Sequence, residues 1–269
     1  MDRKEYWNEE YTKYWKKLTD EANDKNGDKT HIEKVTKGDY KTVGEQQAIE
    51  YFSKLDYDKK EKLLDYGCGF GRFFEYFSSK SEYYGIDISE SMISECVKRY
   101  SDSKDRFIVA EGEELPFENN FFDKIICYGV FDACYQEQAL KEMLRVLKLN
   151  GKILLSGKNT LYYCDDEQAY IAEEAARKKE HPNYFTDVKK MFGEIKDYVE
   201  IEKQYFFLKR GDMGKRNFKC ELPEEFYEWL IVINKKCDLP KDYKLEKFSD
   251  MYSNTWLKKN GKMFVGENN

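Results

Sequence analysis

The fold is decided by the stretch Lys62-Leu63-Leu64-Asp65-Tyr66-Gly67-Cys68-Gly69-Phe70-Gly71-Arg72. Its first half is a short apolar run, which predicts a buried β-strand. Three glycines follow at alternate positions, and phenylalanines recur after them at helical spacing. A strand that runs into a glycine-rich turn and then into a helix makes a nucleotide-sized binding site. Glycine lets the backbone approach the ligand, and the helix N-terminus offers free N–H groups.

The same alternation of strands and helices continues along the chain. An apolar strand followed by an amphipathic helix predicts a parallel sheet that is covered on both faces. Beyond residue 157 the pattern predicts helices over 165–180 and 186–193, and a last antiparallel strand pair. The predicted strands are 62–66, 83–87, 107–110, 121–127, 152–156, 197–208 and 262–266.

Several motifs, in order and at ordinary spacing, resemble those of class I S-adenosylmethionine (SAM)-dependent methyltransferases. Residues 63–72 resemble the first motif of that family, and 113–117 with Phe122-Asp123 resemble its stretch between the third and fourth strands. Residues 144–152 resemble the turn into its fifth strand. The resemblance implies an α/β fold with a Rossmann-like, seven-stranded, mostly parallel sheet. It also implies helices on both faces, an antiparallel last strand pair and a helical cap.

The resemblance also implies SAM as the cofactor, with S-adenosylhomocysteine as the product. The backbone at Gly67 and Gly69 is expected to hold the methionine part, and Asp87 to accept hydrogen bonds from the ribose hydroxyls. Glu111 stands where the family has an Asp that contacts the adenine amino group. The implied cofactor-binding residues are Asp65, Gly67, Cys68, Gly69, Gly71, Arg72, Asp87, Ile88, Met92, Glu111, Gly112, Glu113, Cys127 and Tyr128.

Candidate catalytic bases are scarce because the chain has only two histidines. An alcohol acceptor needs a base, whereas an anionic oxygen does not. His31, Asp132 and His181 are the candidate bases that motif position or chain order allows. An anionic acceptor would instead be held by basic side chains, for which the candidates are Arg177, Lys209, Arg210, Lys215 and Arg216.

Four segments are predicted along the chain. Residues 1–44 form an N-terminal helical cap with an aromatic stripe, and 45–208 form the SAM-binding core. Residues 209–256 form a cap insertion, and 257–269 hold the last strand of the core. Aromatic side chains of the caps can exclude water and face a sulfonium, although packing of the helices onto the body is the preferred interpretation for most of them.

The composition of the chain limits the classes of partner and the location that can be expected. The net charge is −6 and both signs are interleaved, so duplex nucleic acid is not expected as a partner. No apolar run approaches the length of a membrane span, and no signal peptide follows Met1. The seven cysteines are odd in number and form no CxxC pair, which predicts reduced thiols, a cytoplasmic location and no metal site. The oligomeric state is open.

The function predicted is transfer of a methyl group from SAM to a small polar acceptor, anionic or sugar-like, with oxygen preferred over nitrogen. Two alternatives stay open: a non-catalytic SAM-binding protein on the same fold, and a nicotinamide-dependent Rossmann oxidoreductase. Asp65 argues against the second alternative, because an acid two residues before the glycine turn would repel a pyrophosphate but attract the ammonium of SAM.

Overall fold

The computed structural model describes residues 3–11 and 43–255. A short helical turn, Arg3–Glu5, continues as a π-helix, Tyr6–Tyr11, and together they are called the N-terminal segment. The remaining helices are α1 (Val43–Phe52), α2 (Phe74–Ser78), α3 (Glu90–Arg99), α4 (Gln136–Val146), α5 (Glu167–Lys178), α6 (Val188–Ile195) and α7 (Asp212–Lys215). The strands are β1 (Lys62–Tyr66), β2 (Glu82–Asp87), β3 (Phe107–Val109), β4 (Phe122–Cys127), β5 (Leu147–Lys158), β6 (Phe185–Thr186), β7 (Val199–Phe207), β8 (Glu228–Lys235) and β9 (Ser249–Asp250).

Seven strands form one sheet in the order β3-β2-β1-β4-β5-β8-β7. The first five of these strands are parallel, and β8 runs antiparallel to both of its neighbours. The predicted fold class, a mostly parallel seven-stranded sheet with an antiparallel pair at its end, is confirmed. All five parallel strands point their carboxyl ends to one edge, where ligands bind in open α/β sheets.

The sheet is buried on both faces. Leu64 and Ile125 belong to one hydrophobic cluster and Leu63 and Ile126 to the other, all at most 1% exposed, because neighbouring side chains of a strand alternate between faces. On one face α4 contributes side chains of its apolar stripe, and on the other Phe52 packs against helix α2. Burial of each such side chain stabilises the fold by about 1.5–3 kcal/mol.

The antiparallel pair uses a different segment from the one predicted. Strand β7 lies where the sequence predicts it, but its partner is β8, with Ile201 opposite Ile233. The assignment of residues 228–235 to a cap insertion is therefore wrong, and α7 is a single short helix within the described part of 209–256. The strand predicted at 262–266 lies outside the described residues.

Strand β5 is also longer than predicted, beginning at Leu147 instead of 152. Phe122 pairs with Leu147 and Lys124 with Lys152, so the residues between them form an irregularity in which Asn150 has a φ of 61°. Asparagine tolerates this left-handed conformation better than most residues. Among residues 3–11 and 43–255, no helix has the length and apolar character that crossing a bilayer requires.

Candidate functional site

The glycine turn lies at the carboxyl end of β1. The N–H groups of Gly67 and Cys68 both donate to the Ile86 carbonyl, at 2.9 and 2.8 Å, which joins the turn to β2. Gly67 and Gly69 have φ values of +76° and +54°, a region that side chains disfavour. A Cβ at Gly67 would also lie 2.6 Å from Val130, so the loop and the turn after β4 approach as closely as glycine permits.

Asp87, the last residue of β2, organises the turn. Its carboxylate accepts hydrogen bonds from the N–H groups of Gly69 and Ser89, both at 2.9 Å. Ser89 in turn caps α3 by accepting from the Met92 N–H. Burial raises the pKa of Asp87, and the backbone donors work against that effect. Each carboxylate oxygen has a further lone pair, so Asp87 can accept from a ligand as well.

A cleft opens between the turn and the end of β4. Ten of the implied cofactor residues line it. They are Gly67, Cys68, Gly69, Arg72, Asp87, Ile88, Met92, Gly112, Glu113 and Tyr128.

Four implied cofactor residues do not line this cleft. Asp65 is buried beneath the turn, where it accepts a hydrogen bond from the Tyr83 hydroxyl at 2.9 Å, and burial raises its pKa to about 7. Cys127 is fully buried in β4, and Gly71 packs into the far side of the turn. Glu111 is exposed. Asp65 and Gly71 support the loop from below, and the contact from Glu111 to adenine stays a prediction.

Ten further residues line the cleft without having been predicted as cofactor-binding. They are Arg3, Trp7, Tyr66, Phe70, Ile86, Ala110, Gly129, Val130, Ala133 and Cys134. Most of them neighbour a predicted residue in the chain, which is the only signal the sequence offered. Trp7 belongs to the aromatic stripe of the N-terminus, for which a water-excluding position was one of the two interpretations.

Tyr66 lines the cleft and lies close against Gly112. A Cβ at Gly112 would lie 1.6 Å from the Tyr66 hydroxyl, so the two segments meet where only glycine fits. The hydroxyl is buried and has no hydrogen-bond partner among the described residues. Burial raises its pKa well above the usual range, so the hydroxyl stays protonated beside Cys134, which also lines the cleft.

The N-terminal segment closes one side of the cleft. The Arg3 guanidinium pairs with both carboxylate oxygens of Glu113 and lies 4.4 Å from the centre of the Tyr135 ring. Burial is the largest single effect and opposes the charge of Arg3, but the hydrogen bond and ion pair with Glu113, together with Cys134 and Tyr135, outweigh it and raise the pKa of Arg3. Asn8 accepts from the Ser91 N–H at 3.2 Å, which attaches the segment to α3. Glu113 therefore holds the segment in place and has its carboxylate occupied.

A charged cluster lies at the carboxyl end of β5, beside the cleft. Lys158 Nζ is 3.2 Å from the Asp132 carboxylate, 3.1 Å from Glu173 and 3.1 Å from the Asn183 side-chain oxygen. Burial alone lowers the pKa of Lys158, but the two carboxylates reverse this and raise it. Lys158 is therefore a fixed cation. Asp132, a predicted base, belongs to this cluster through that ion pair.

Three residues from the end of β7 and the beginning of β8 complete the cluster. The Tyr227 hydroxyl donates to Glu173, and Arg210 donates to the Tyr227 oxygen at 2.8 Å. Glu228, the first residue of β8, lies opposite Lys158 in the strand register. Burial raises the pKa of Glu228 to about 7, although the nearby Lys158 and Arg210 cations lower it. Sequence reasoning missed Lys158, Glu173 and Glu228 because no motif covers them.

His181 lies between the cluster and the cleft. Its Nδ1 is 2.9 Å from the Tyr6 hydroxyl, and its ring centre is 5.0 Å from that of Trp7, which lines the cleft. The pKa of His181 is lowered, because burial outweighs the opposing effect of the nearby Asp132 carboxylate. His181 also lines a second cavity, with Glu173, Arg177 and Asn183. His31 lies outside the described residues.

The predicted anion clamps are dispersed. Lys209 pairs with Asp165 at 2.9 Å, and Arg216 pairs with Glu50, all with exposed side chains. Lys215 is exposed, whereas Arg210 is drawn into the charged cluster. The structure therefore does not gather these cations into one site.

Comparison with known proteins identifies the domain around the cleft. Residues 64–155 match a family model described as a methyltransferase domain, and this range contains the glycine turn, Asp87 and Tyr128. Residues 64–155 therefore form a methyltransferase domain, as the resemblance to class I SAM-dependent methyltransferases implies. The alternative of a nicotinamide-dependent oxidoreductase loses its ground, because the matched model covers the glycine turn on which it depended.

Curated relatives match part of the chain. An uncharacterized protein of Methanocaldococcus jannaschii is 35% identical over 102 residues, which cover 38% of this chain and 43% of the relative. The ubiquinone/menaquinone biosynthesis C-methyltransferase UbiE of Idiomarina loihiensis is 34% identical over 103 residues, covering 35% of this chain and 41% of the relative. The chain thus spans less than half of the length of these two relatives.

The fold has close solved counterparts. Geranyl diphosphate C-methyltransferase of Streptomyces coelicolor A3(2), in complex with Mg²⁺, geranyl diphosphate and S-adenosyl-L-homocysteine, aligns with a TM-score of 0.54. The alignment covers 78% of this chain and 86% of that one at 13% identity. At this identity the similarity establishes the fold and not the acceptor.

The cleft fits SAM, the cofactor that the resemblance to class I SAM-dependent methyltransferases implies. The backbone at Gly69 is open to a ligand, because the nearest atom to a Cβ placed there would be the Met92 sulfur at 3.8 Å. Asp87 offers carboxylate lone pairs at the end of β2, and the unpartnered Tyr66 hydroxyl offers a buried donor. Met92 and Ile88 supply apolar surface for a flat ring system.

Proposed function

We propose that the protein transfers a methyl group from SAM to a small polar acceptor, with a hydroxyl oxygen preferred over nitrogen. One observation carries this proposal: a charged, largely buried cluster lies beside the cleft that fits SAM, since Asp132, which pairs with Lys158, lies between the lining residues Val130 and Ala133. Trp7 and Tyr128 line the cleft, and their neighbours include His181 and Glu228 respectively. A site built from fixed charges suits a polar acceptor, because burying polar groups is favourable only where they are paired.

A sugar-like acceptor is better supported than an anionic one. The cluster alternates donors and acceptors, with Lys158 and Asn183 beside Asp132 and Glu173. Neighbouring hydroxyl groups both donate and accept, so they match such a lining. Of the cations predicted to clamp an anion, Arg177 is the one that lines a cavity beside this cluster.

The residues of the chain would bind, orient and exclude water. SAM supplies the electrophilic methyl carbon. The turn and Asp87 would fix the cofactor, and the N-terminal segment would shield it, since Arg3 and Trp7 form part of the cleft wall. Holding the acceptor oxygen in line with the methyl group lowers the barrier through orientation.

Calorimetry with SAM, and with NADH as the comparison, tests the cofactor, and tight SAM binding without NADH binding is expected. A panel of sugars, nucleotide-linked sugars, hydroxy acids and amines, read by mass spectrometry for the gain of one methyl, tests the reaction. Methylation of hydroxyl compounds is expected. SAM binding without turnover on the panel would favour the non-catalytic alternative, and methylation of amines alone would reverse the preference for oxygen.

A cytoplasmic location and a small-molecule partner belong to the same proposal. All seven cysteines are free, including the buried Cys68 and Cys96, as in a reducing compartment. The net charge of −6 disfavours a nucleic-acid substrate.

A further inference from the structure

Glu228 occupies a position that the methyl-transfer chemistry needs. It is the first residue of β8 and pairs with Lys158 of β5 on one side and Phe207 of β7 on the other. Because Lys158 ends β5, this pairing places Glu228 at the carboxyl edge of the parallel strands, where the glycine turn also lies. Glu228 is half-buried, so solvent or a ligand can reach it.

The surroundings of Glu228 come from every element packed around it. Its electrostatic neighbours are Lys158 (β5), Arg210 (loop after β7), Asp132 (turn after β4), Glu173 (α5), Tyr128 (end of β4) and Tyr227. Tyr128, whose pKa Glu228 helps to raise, lines the cleft. The Glu228 carboxylate therefore lies within electrostatic reach of the charged cluster and of one wall of the cleft.

Glu228 differs from the other acids of the cluster in having no partner. Asp132 and Glu173 both pair with Lys158, and Glu173 also accepts from the Tyr227 hydroxyl. His181 has its Nδ1 at hydrogen-bond distance from Tyr6. Within residues 3–11 and 43–255, the Glu228 carboxylate makes no hydrogen bond or ion pair, so its lone pairs are available to a bound molecule.

We propose that Glu228 is the general base that takes the proton from a hydroxyl acceptor, a role that rests on the proposed function. As the acceptor oxygen forms its bond to the methyl carbon, the carbon–sulfur bond breaks and its electron pair stays on sulfur. The hydroxyl proton passes to the Glu228 carboxylate, which releases it to solvent after the product leaves. Lys158 and Arg210 favour this acceptor, because fixed cations stabilise an oxygen that gains negative charge and repel an ammonium.

The pH dependence follows from the same surroundings. Burial raises the pKa of Glu228 to about 7, with Asp132 and Glu173 adding to the rise and Lys158 and Arg210 opposing it. Glu228 accepts a proton only when ionised. Turnover should therefore rise with pH through about 7 and level off above it.

The test compares Glu228→Gln with Glu202→Gln. Glu202 lies on β7 at the opposite edge of the sheet, where it pairs with Lys152 at 2.8 Å, and serves as the matched control. On the hydroxyl compound methylated by the wild type, Glu228→Gln should lower kcat by about 10²–10⁴-fold and abolish the pH limb near 7. The acceptor KM and the SAM dissociation constant should stay within about twofold, and Glu202→Gln should behave as the wild type.

A second readout does not depend on activity. In protein labelled with ¹³C at glutamate carboxyls, one resonance should titrate near pH 7 and be absent from Glu228→Gln. A Glu228→Gln variant as active as Glu202→Gln, or a Glu228 resonance that titrates near 4.5, would overturn the role of Glu228 while leaving the proposed function intact. Absence of SAM binding by the wild type, or binding without any methylated product, would overturn both.

Discussion

Replacing Asp87 with alanine should damage both the fold and cofactor binding. Its carboxylate accepts from the N–H groups of Gly69 and Ser89, each at 2.9 Å. Alanine leaves both donors without this acceptor in a buried position, at a cost of about 1–3 kcal/mol for each group that water does not reach. A total loss of about 2–6 kcal/mol corresponds to a fall in Tm of about 4–24 °C, at about 2–4 °C per kcal/mol for a chain of this size.

Cofactor affinity should fall for a second reason. If the ribose hydroxyls donate to Asp87, the variant loses those hydrogen bonds and the ordered turn together. A loss of about 1–3 kcal/mol raises the SAM dissociation constant by about 5–150-fold. Asp87→Asn keeps one acceptor oxygen and should show roughly half of each effect. Asp102→Ala, an exposed acid just beyond α3, is the control and should change neither quantity.

Two assays on the same preparations separate the contributions. Thermal unfolding by circular dichroism reports the structural hydrogen bonds, and calorimetry at 15 °C, where all variants are folded, reports SAM binding. An unchanged Tm for Asp87→Ala would refute the inference that this carboxylate fastens the turn. A lower Tm with an unchanged dissociation constant would mean that the ribose is bound elsewhere.

Three more predictions follow from the cleft. Burial raises the pKa of Asp65 from 3.8 to about 7, so the free energy of unfolding should fall as pH rises from about 4 to 7. Urea titrations at several pH values measure this fall, and Asp65→Asn should flatten it. Gly112→Ala should destabilise the protein and weaken SAM binding, because its Cβ would overlap a tyrosine hydroxyl, whereas Gly193→Ala on open helix surface should raise stability by about 0.5–1 kcal/mol. Arg3→Met should raise the SAM dissociation constant, because it removes the ion pair with Glu113 that holds the N-terminal segment against the cleft. Lys4→Met should leave the constant unchanged, because the Lys4 ion pair spans 4.0 Å between exposed groups. Equal effects of the two variants would contradict the role of the N-terminal segment.

The cofactor half of the site could be predicted because its geometry is local. The turn at Gly67 and Gly69 needs glycine for backbone reasons, and Asp87 follows its strand at a fixed distance from the turn. The implied cofactor residues include one that lies outside the cleft because its side chain points to the other face of the sheet. Cys127 comes one residue before Tyr128, yet it points into the core while Tyr128 lines the cleft, because neighbours on a strand face opposite ways.

Strand β8 was missed although its sequence carries a signal. Trp229 to Ile233 is a continuous apolar run, which is typical of a buried strand. The run was assigned to a cap because the segment around it contains prolines and a tryptophan, and because Lys262 to Gly266 offered another partner for β7. Local pattern does not reveal which of two strands is inserted between β5 and β7, since that pairing is settled by contacts far apart in the chain.

The charged cluster shows why the acceptor is harder to predict than the cofactor. Asp132 and Lys158 follow or end core strands, but Glu173 belongs to α5, and Glu228 begins a strand seventy residues after Lys158. Asp132 and Glu173 both pair with Lys158, and Glu228 joins them only because β8 inserts antiparallel beside β5. The family model ends at residue 155, before Lys158, so the matched range contains the glycine turn and Asp87 and stops short of Lys158, Glu173 and Glu228. Acceptor choice can therefore change through α5, β8 and the N-terminal segment while the glycine turn and Asp87 stay as they are.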